Sequence, residues 1–311
     1  MSDQKKHTEI LRPQRQSVAL VFDSPHSGSD YPADFNHACD MKDLRMAEDM
    51  YIDELFAHVT DHGAPLLKAL FPRSYIDPNR AVKEEDKKSG NSPSLRGLFR
   101  TVCSGINPTP IYAEGALPTG QEKQARIDNC YREYHENLSD IIKDTRQQFE
   151  KTVHINCHSM PSTYGDNLPN DYDFILGNRE GRSCAPELVA FVKTALEDMG
   201  YKVGVNIPGY RGAEIVKRYG DPASHRRSNL KLSGNGNKPA VPPAVSDHSV
   251  FPASHQGAAA SHPHNPPENQ SMDGSMFLTA SSLPDRHHRS QYAVLRPCAA
   301  VAQKHPVFPF E

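Results

Sequence analysis

Apolar positions in the first two thirds of the chain switch between two rhythms. Ser17-Val-Ala-Leu-Val-Phe22 is a short, nearly continuous apolar run, as expected of a strand buried on both faces. Over residues 43–62 the spacing lengthens. Ile52, Leu55, Phe56 and Val59 fall at i, i+3, i+4 and i+7, which predicts a helix stopped by Gly63, with Glu48 and Asp49 one turn earlier beside its apolar face. Strands are expected at 65–70, 73–76, 152–157, 172–176 and 201–206, and helices over 122–149 and 185–199. Such alternation predicts an α/β fold, a mostly parallel sheet covered on both faces.

Beyond about Gly220 the rhythm is lost. Residues 221–311 hold 12 of the 26 prolines and 8 of the 16 histidines, so this stretch has too little apolar surface to offset its ordering entropy. The chain is therefore expected to divide into a polar N-terminal extension (1–16), one folded domain (17–222) and a disordered Pro/His/Ser/Ala-rich tail (223–311). Within the domain, 83–110 is charged and Pro/Gly-rich, as in a mobile lid or linker.

Composition narrows the function. A net charge of −3 provides no broad footprint for nucleic acid or an anionic membrane. No apolar run approaches the roughly 20 residues that span a bilayer, and residues 1–16 lack a signal-peptide core, so a cytoplasmic protein is expected. The six cysteines form no C-x-x-C pair, which suggests neither a disulfide framework nor a cysteine metal site.

Three short segments carry the candidate chemistry: Ser24-Pro-His26-Ser-Gly28, Asp77-Pro-Asn79-Arg80 and Cys157-His158-Ser-Met-Pro161, each where a predicted strand runs out. In open α/β sheets ligands sit at such ends. Two histidines on separate strand ends can hold one metal, and an Asn-Arg pair on a third can hold a carboxylate, so together they describe hydrolysis of a small acidic amide. Cys157 is read as a small buried hydrophobe, because adjacent strand residues point to opposite faces.

These motifs, with the stretch from Asn206 to Arg218-Tyr-Gly-Asp-Pro222, resemble the N-formylglutamate amidohydrolase (N-formylglutamate deformylase) family, in the same order and over residues 17–222. The resemblance implies a three-layer α/β/α sandwich of the zinc exopeptidase kind, and release of formate and glutamate from N-formylglutamate in histidine degradation. It implies Zn²⁺ held by His26, His158 and a carboxylate. Resemblance favours Asp49 as that third ligand, whereas helical phase places Glu48 slightly nearer the apolar face. His26, His158 and Arg80 would be catalytic, and Asn79, Arg80 and Asn206 would bind substrate. A planar guanidinium suits bidentate capture of a carboxylate.

One expected part is missing. The family carries a general-base glutamate on a strand soon after the Arg-Tyr-Gly segment, but here the chain reads Ser228-Asn-Leu-Lys-Leu-Ser-Gly234. Codons permitted for Leu230 to Gly234 encode Gln-Ile-Glu-Arg in a shifted frame. The expected activity is therefore an impaired amidohydrolase; the alternatives are a hydrolase of other N-acyl amino acids and an inactive, metal-binding scaffold or frameshifted product. The oligomeric state is not indicated.

Overall fold

The computed structural model describes residues 6–83, 94, 96–104, 109–160, 171–221 and 227–235. Among these, seven strands form one mixed sheet: β1 Thr8–Leu11, β2 Leu20–Ser24, β3 Leu66–Ala69, β4 Thr152–Met160, β5 Phe174–Gly177, β6 Val203–Val205 and β7 Arg227–Asn235. Their order is β1-β3-β2-β4-β7-β5-β6. The central run β3, β2, β4, β7 is parallel, β6 runs parallel to β5, and β1 and β5 pair antiparallel to β3 and β7.

Among the described residues six α-helices accompany the sheet: α1 Met41–Arg45, α2 Ile52–Ala57, α3 Gly120–Arg126, α4 Arg132–Phe149, α5 Pro186–Glu197 and α6 Glu214–Tyr219. Period-2 alternation divides each central strand between two cores. Leu20 and Phe22 of β2, Ile155 and Cys157 of β4, and Leu230 and Leu232 of β7 pack with α2 and α5. Val21 and Leu67 face the opposite way, into the core made with Leu44 of α1, Tyr134, Leu138, Ile141 and Ile142 of α4, and Ile215 of α6. The result is the expected α/β/α layering, with Cys157 buried as a hydrophobe.

A capping box at Thr119 and Glu122 starts α3. Between α3 and α4 the chain makes a π turn, Ile127–Tyr131, so the expected helix over 122–149 is one continuous rod with a wide turn near its start. Arg126 on one side of that turn reaches the Tyr75 carbonyl (Nη1 to O, 3.1 Å). His135 on the other side reaches the Pro78 carbonyl (Nε2 to O, 2.9 Å). The rod therefore holds the chain at two carbonyls, one just before and one within the Asp77-Pro-Asn79-Arg80 turn.

Several elements differ from the sequence expectation. Thr8–Leu11, read as part of a polar extension, is edge strand β1, and the Thr8 N–H and hydroxyl are both held by Glu133 Oε1 of α4 at 3.1 and 2.6 Å. The single helix expected over 43–62 is broken at residues 46–51, where Tyr51 adopts φ 64° and the Asp49 N–H leaves the helical ladder to donate to the His26 carbonyl at 2.9 Å. Residues 73–76 form a turn rather than a strand, closed by Tyr75 N–H on Pro72 O at 3.0 Å. β4 continues three residues past Cys157, so His158 lies within the strand.

The largest difference is β7. The sheet extends past residue 222, where the domain was expected to end, and Arg227–Asn235 fills a central position between β4 and β5. Within the 83–110 segment, Leu98, Phe99 and Cys103 are buried in the second core, which ties that part of the expected loop to the domain. Residues 84–93, 95 and 105–108 of the loop, and the tail beyond Asn235 expected to be disordered, lie outside the described residues.

Candidate active site

The site forms where β2 and β4 approach their C-terminal ends. After Ser24 the chain turns sharply and lies on the backbone of residues 70–71. A Cβ on Gly28 would sit 2.3 Å from the Phe71 carbonyl oxygen, so glycine is required there. This turn delivers His26, 2% exposed, to a buried position facing His158 of β4, with ring centroids 4.8 Å apart. The broken helix α1–α2 delivers Asp49 from above. Its backbone bond to the His26 carbonyl fixes the two residues to each other before their side chains meet.

The three side chains converge through particular atoms. Asp49 Oδ2 lies 2.8 Å from His158 Nδ1 and 3.5 Å from His26 Nδ1. The three donor atoms lie within 4.8 Å of one another. Each imidazole is held from behind through its other nitrogen: His26 Nε2 is 2.8 Å from Asp77 Oδ1, and His158 Nε2 is 2.8 Å from Asn156 Oδ1. His26 Nδ1 is buried with no hydrogen-bond partner among the described residues. Such an atom is costly unless something occupies it. Two imidazole nitrogens and one carboxylate oxygen, with the rear nitrogens donating to acceptors, form a donor set that fits zinc.

The sequence left Glu48 or Asp49 open, and the geometry separates them. Glu48 is engaged elsewhere, accepting from Tyr31 Oη at 2.6 Å and Arg45 Nε at 3.2 Å. Burial works against ionising Asp49, but the two imidazoles beside it, His158 foremost, outweigh it and hold its pKa below the usual carboxylate range. Burial pushes His158 down to about 4, against the pull of Asp49, so the ring is neutral, the form that ligates a metal.

The Asp77-Pro-Asn79-Arg80 turn forms one wall. Asp77 is fully buried and accepts from Arg73 Nη2 at 2.7 Å and from its own turn through the Asn79 N–H at 2.9 Å. Burial raises its pKa, yet the charges of Arg73, His26 and Arg80 hold it well below the usual range. Asn79 Oδ1 accepts from the Ile215 N–H at 2.9 Å, which turns its amide nitrogen toward His158 Nε2 at 3.2 Å. Arg80 donates to the Arg96 and Asn79 carbonyls, both at 2.8 Å, from Nε and Nη1. Asn206 is not brought to this cluster. It sits just past β6 with φ 53°, its amide paired to Asn178 at 2.7 Å, three strands or about 14 Å from β4.

Sequence reasoning missed Arg73, Asn156 and Lys231 and gave Asp77 no role. Alternation was the available signal for Asn156, two residues before His158 and so on the same face. β7 completes that face. Asn229, Lys231 and Ser233 stand in register opposite His154, Asn156 and His158, and Leu230 and Leu232 point into the other core. Lys231 Nζ lies 5.1 Å from the Tyr210 ring centroid, and burial lowers its pKa to about 8. The Ser233 hydroxyl is buried without a hydrogen-bond partner among the described residues. No residue of β7 is acidic.

A family model described as N-formylglutamate amidohydrolase matches residues 18–232. The chain belongs to the N-formylglutamate amidohydrolase family. It is 29% identical over 228 residues to the N-formylglutamate deformylase of Pseudomonas putida, covering 70% of this chain and 80% of that protein. The N-formylglutamate deformylase of Pseudomonas aeruginosa is 26% identical over 223 residues, with the same coverage. Among solved structures, the N-formylglutamate amidohydrolase of Ralstonia eutropha JMP134 superposes with a TM-score of 0.63 at 35% identity, covering 74% of this chain and 85% of that one. A gene product of Agrobacterium tumefaciens, Atu2144, shares the fold at 16% identity and a TM-score of 0.58. The amidohydrolase family match ends at residue 232, inside β7.

Proposed function

We propose that this chain is a zinc-dependent amidohydrolase that cleaves N-formyl-L-glutamate to formate and L-glutamate, at a rate lowered by the lack of an acid on β7. The observation that carries this reading is the convergence of His26 Nδ1, His158 Nδ1 and Asp49 Oδ2, each imidazole held from behind by an acceptor. The names of the Pseudomonas and Ralstonia relatives support the substrate. Bound zinc would supply Lewis-acid polarisation of the amide carbonyl and would activate water near neutral pH.

The chain's own residues supply the rest. Arg80 captures a substrate carboxylate through its guanidinium, which its bonds to two backbone carbonyls orient. Asn79 sits between that clamp and His158 and fixes the spacing of the substrate from the donor set. Asp77 holds His26 and, through Arg73, a positive charge beside Asp49. Proton removal falls to solvent, because the face of β7 that lines the site presents Asn229, Lys231 and Ser233. We assign the protein to the cytoplasm; among the described residues no helix is long and apolar enough to cross a membrane.

Formate release from N-formylglutamate by the full chain, before and after chelation, tests the proposal. Slow, chelator-sensitive turnover that disappears in His26→Ala and His158→Ala is expected. Zinc retention with no turnover at any enzyme concentration would favour the inactive-scaffold reading, which the acid-free β7 also permits.

A further inference from the structure

Behind His158 lies a buried polar network that the catalytic reading leaves unused. Its centre is Asp23 of β2, with no solvent exposure. Tyr134 Oη of α4 donates to Asp23 Oδ2 at 2.5 Å, and His154 Nε2 lies 2.7 Å from Oδ1. The amide nitrogen of Asn156 donates to both oxygens, at 2.9 and 3.1 Å. Asn229 Nδ2 of β7 lies 2.8 Å from His154 Nδ1 and so supplies the donor that leaves the Nε2 proton of His154 directed at Asp23. Burial opposes a charge on Asp23, but His154, Tyr134 and Asn156 outweigh it and hold its pKa below the ordinary value.

This arrangement removes an ambiguity. An amide side chain can be turned either way, and here a carboxylate that only accepts hydrogen bonds decides it, because the NH₂ group of Asn156 must face Asp23. Its carbonyl oxygen must then face His158 Nε2, at 2.8 Å. That contact is shorter than the 3.2 Å approach of the Asn79 amide nitrogen to the same atom, so Nε2 carries the proton and Nδ1 presents its lone pair toward Asp49 and His26.

We propose that Asp23, acting through Asn156, is a positioning residue that fixes the orientation and donor atom of His158 for metal binding. The inference rests on the metal reading given above. It adds that a buried carboxylate out of reach of the metal sets the affinity of the site through one amide. Outer partners of ligating histidines contribute about 10–100-fold in metal affinity.

The test is an exchange measured by competition of the full chain with a chromophoric zinc chelator, with thermal melts as a folding control. Asn156→Asp opposes two buried carboxylates, and Asp23→Asn frees the amide to turn. Each is expected to weaken zinc binding about 10–100-fold. The double exchange Asp23→Asn with Asn156→Asp restores one donor facing one acceptor, and is expected to return affinity to within about threefold of the parent. Asn156→Ser leaves the Tyr134 and His154 bonds to Asp23 in place, and covers the case in which a single exchange variant does not fold. Folded Asn156→Ser protein with parental zinc affinity overturns the proposal, as does a folded double exchange no better than Asn156→Asp alone. A parent chain that binds no zinc refutes the metal reading itself, which separates the two failures.

Discussion

Lys231 of β7 stands in parallel register opposite Asn156 of β4, on the sheet face that also carries His158. A cation therefore lines the site where a hydrolase of this family is expected to present an acid. Its charge works against protonation of His158, and it works in the same way against a divalent metal. Lys231→Met is expected to raise zinc affinity about tenfold, the scale of ~1.4 kcal/mol for a partly screened charge near a site of low dielectric. Chelator competition measures it, and an unchanged or weaker affinity would count against this placement of the amine.

Ser233 is the β7 residue opposite His158, and its buried hydroxyl lacks a partner among the described residues. Ser233→Glu brings a carboxylate to the sheet position nearest the donor set. A positioned general base contributes about 10²–10⁴-fold, so N-formylglutamate turnover is expected to rise by at least tenfold in Ser233→Glu and not in Ser233→Gln. Equal rates in both would remove the argument from the missing acid. The coding DNA around codons 220–235 provides a separate check, since a frame restoring Gln-Ile-Glu would place the glutamate at this point of the strand.

Metal content distinguishes ligands from neighbours. His26→Ala, His158→Ala and Asp49→Ala proteins are expected to lose the one zinc per chain predicted for the parent. Glu48→Ala is expected to keep it, because that carboxylate is spent on Tyr31 and Arg45. Loss of zinc in Glu48→Ala alone would reverse the assignment.

Stability should fall in mild acid. Burial lowers the pKa of His135 from 6.5 to about 4, and that of His158 likewise. A histidine with a depressed folded-state pKa binds its proton better when unfolded. Its contribution is therefore fully present above about pH 6.5 and is lost progressively as pH falls toward 4. Each ring accounts for up to ~3 kcal/mol over that window. Urea unfolding of the apo protein at pH 7, 6 and 5 measures the loss, and a flat profile would show that the rings are not buried as neutral groups.

What could be read from the sequence follows from how local each signal is. His26, His158 and the Asn79-Arg80 pair stand in compact motifs, so their identity was legible, and His26 does follow a strand end, whereas His158 lies within β4 and the Asn79-Arg80 pair follows a turn. Asp49 was legible as a residue but not as a geometry. The helix that should have carried it breaks at residues 46–51 to make a tertiary bond with the His26 carbonyl, and no pattern of side chains announces that. β1 has only four residues, too short for a rhythm to emerge. β7 hid for a different reason. Its site face is Asn229, Lys231 and Ser233, which leaves only Leu230 and Leu232 as apolar markers in a stretch already rich in Ser, Gly and Asn.

The π turn between α3 and α4 makes chain length, more than residue identity, the quantity to preserve in that rod. One added residue rotates everything beyond it by about 100° relative to a regular helix. That rotation accompanies the reach of Arg126 and His135 to two nearby carbonyls, those of Tyr75 and Pro78. A substitution within 127–131 leaves the phase intact. Deleting a single residue there would give a more regular helix, yet it would swing His135 off Pro78 and loosen the loop that carries Asp77, Asn79 and Arg80. In related sequences this helix should therefore tolerate substitution at its exposed positions while gaining or losing residues almost never.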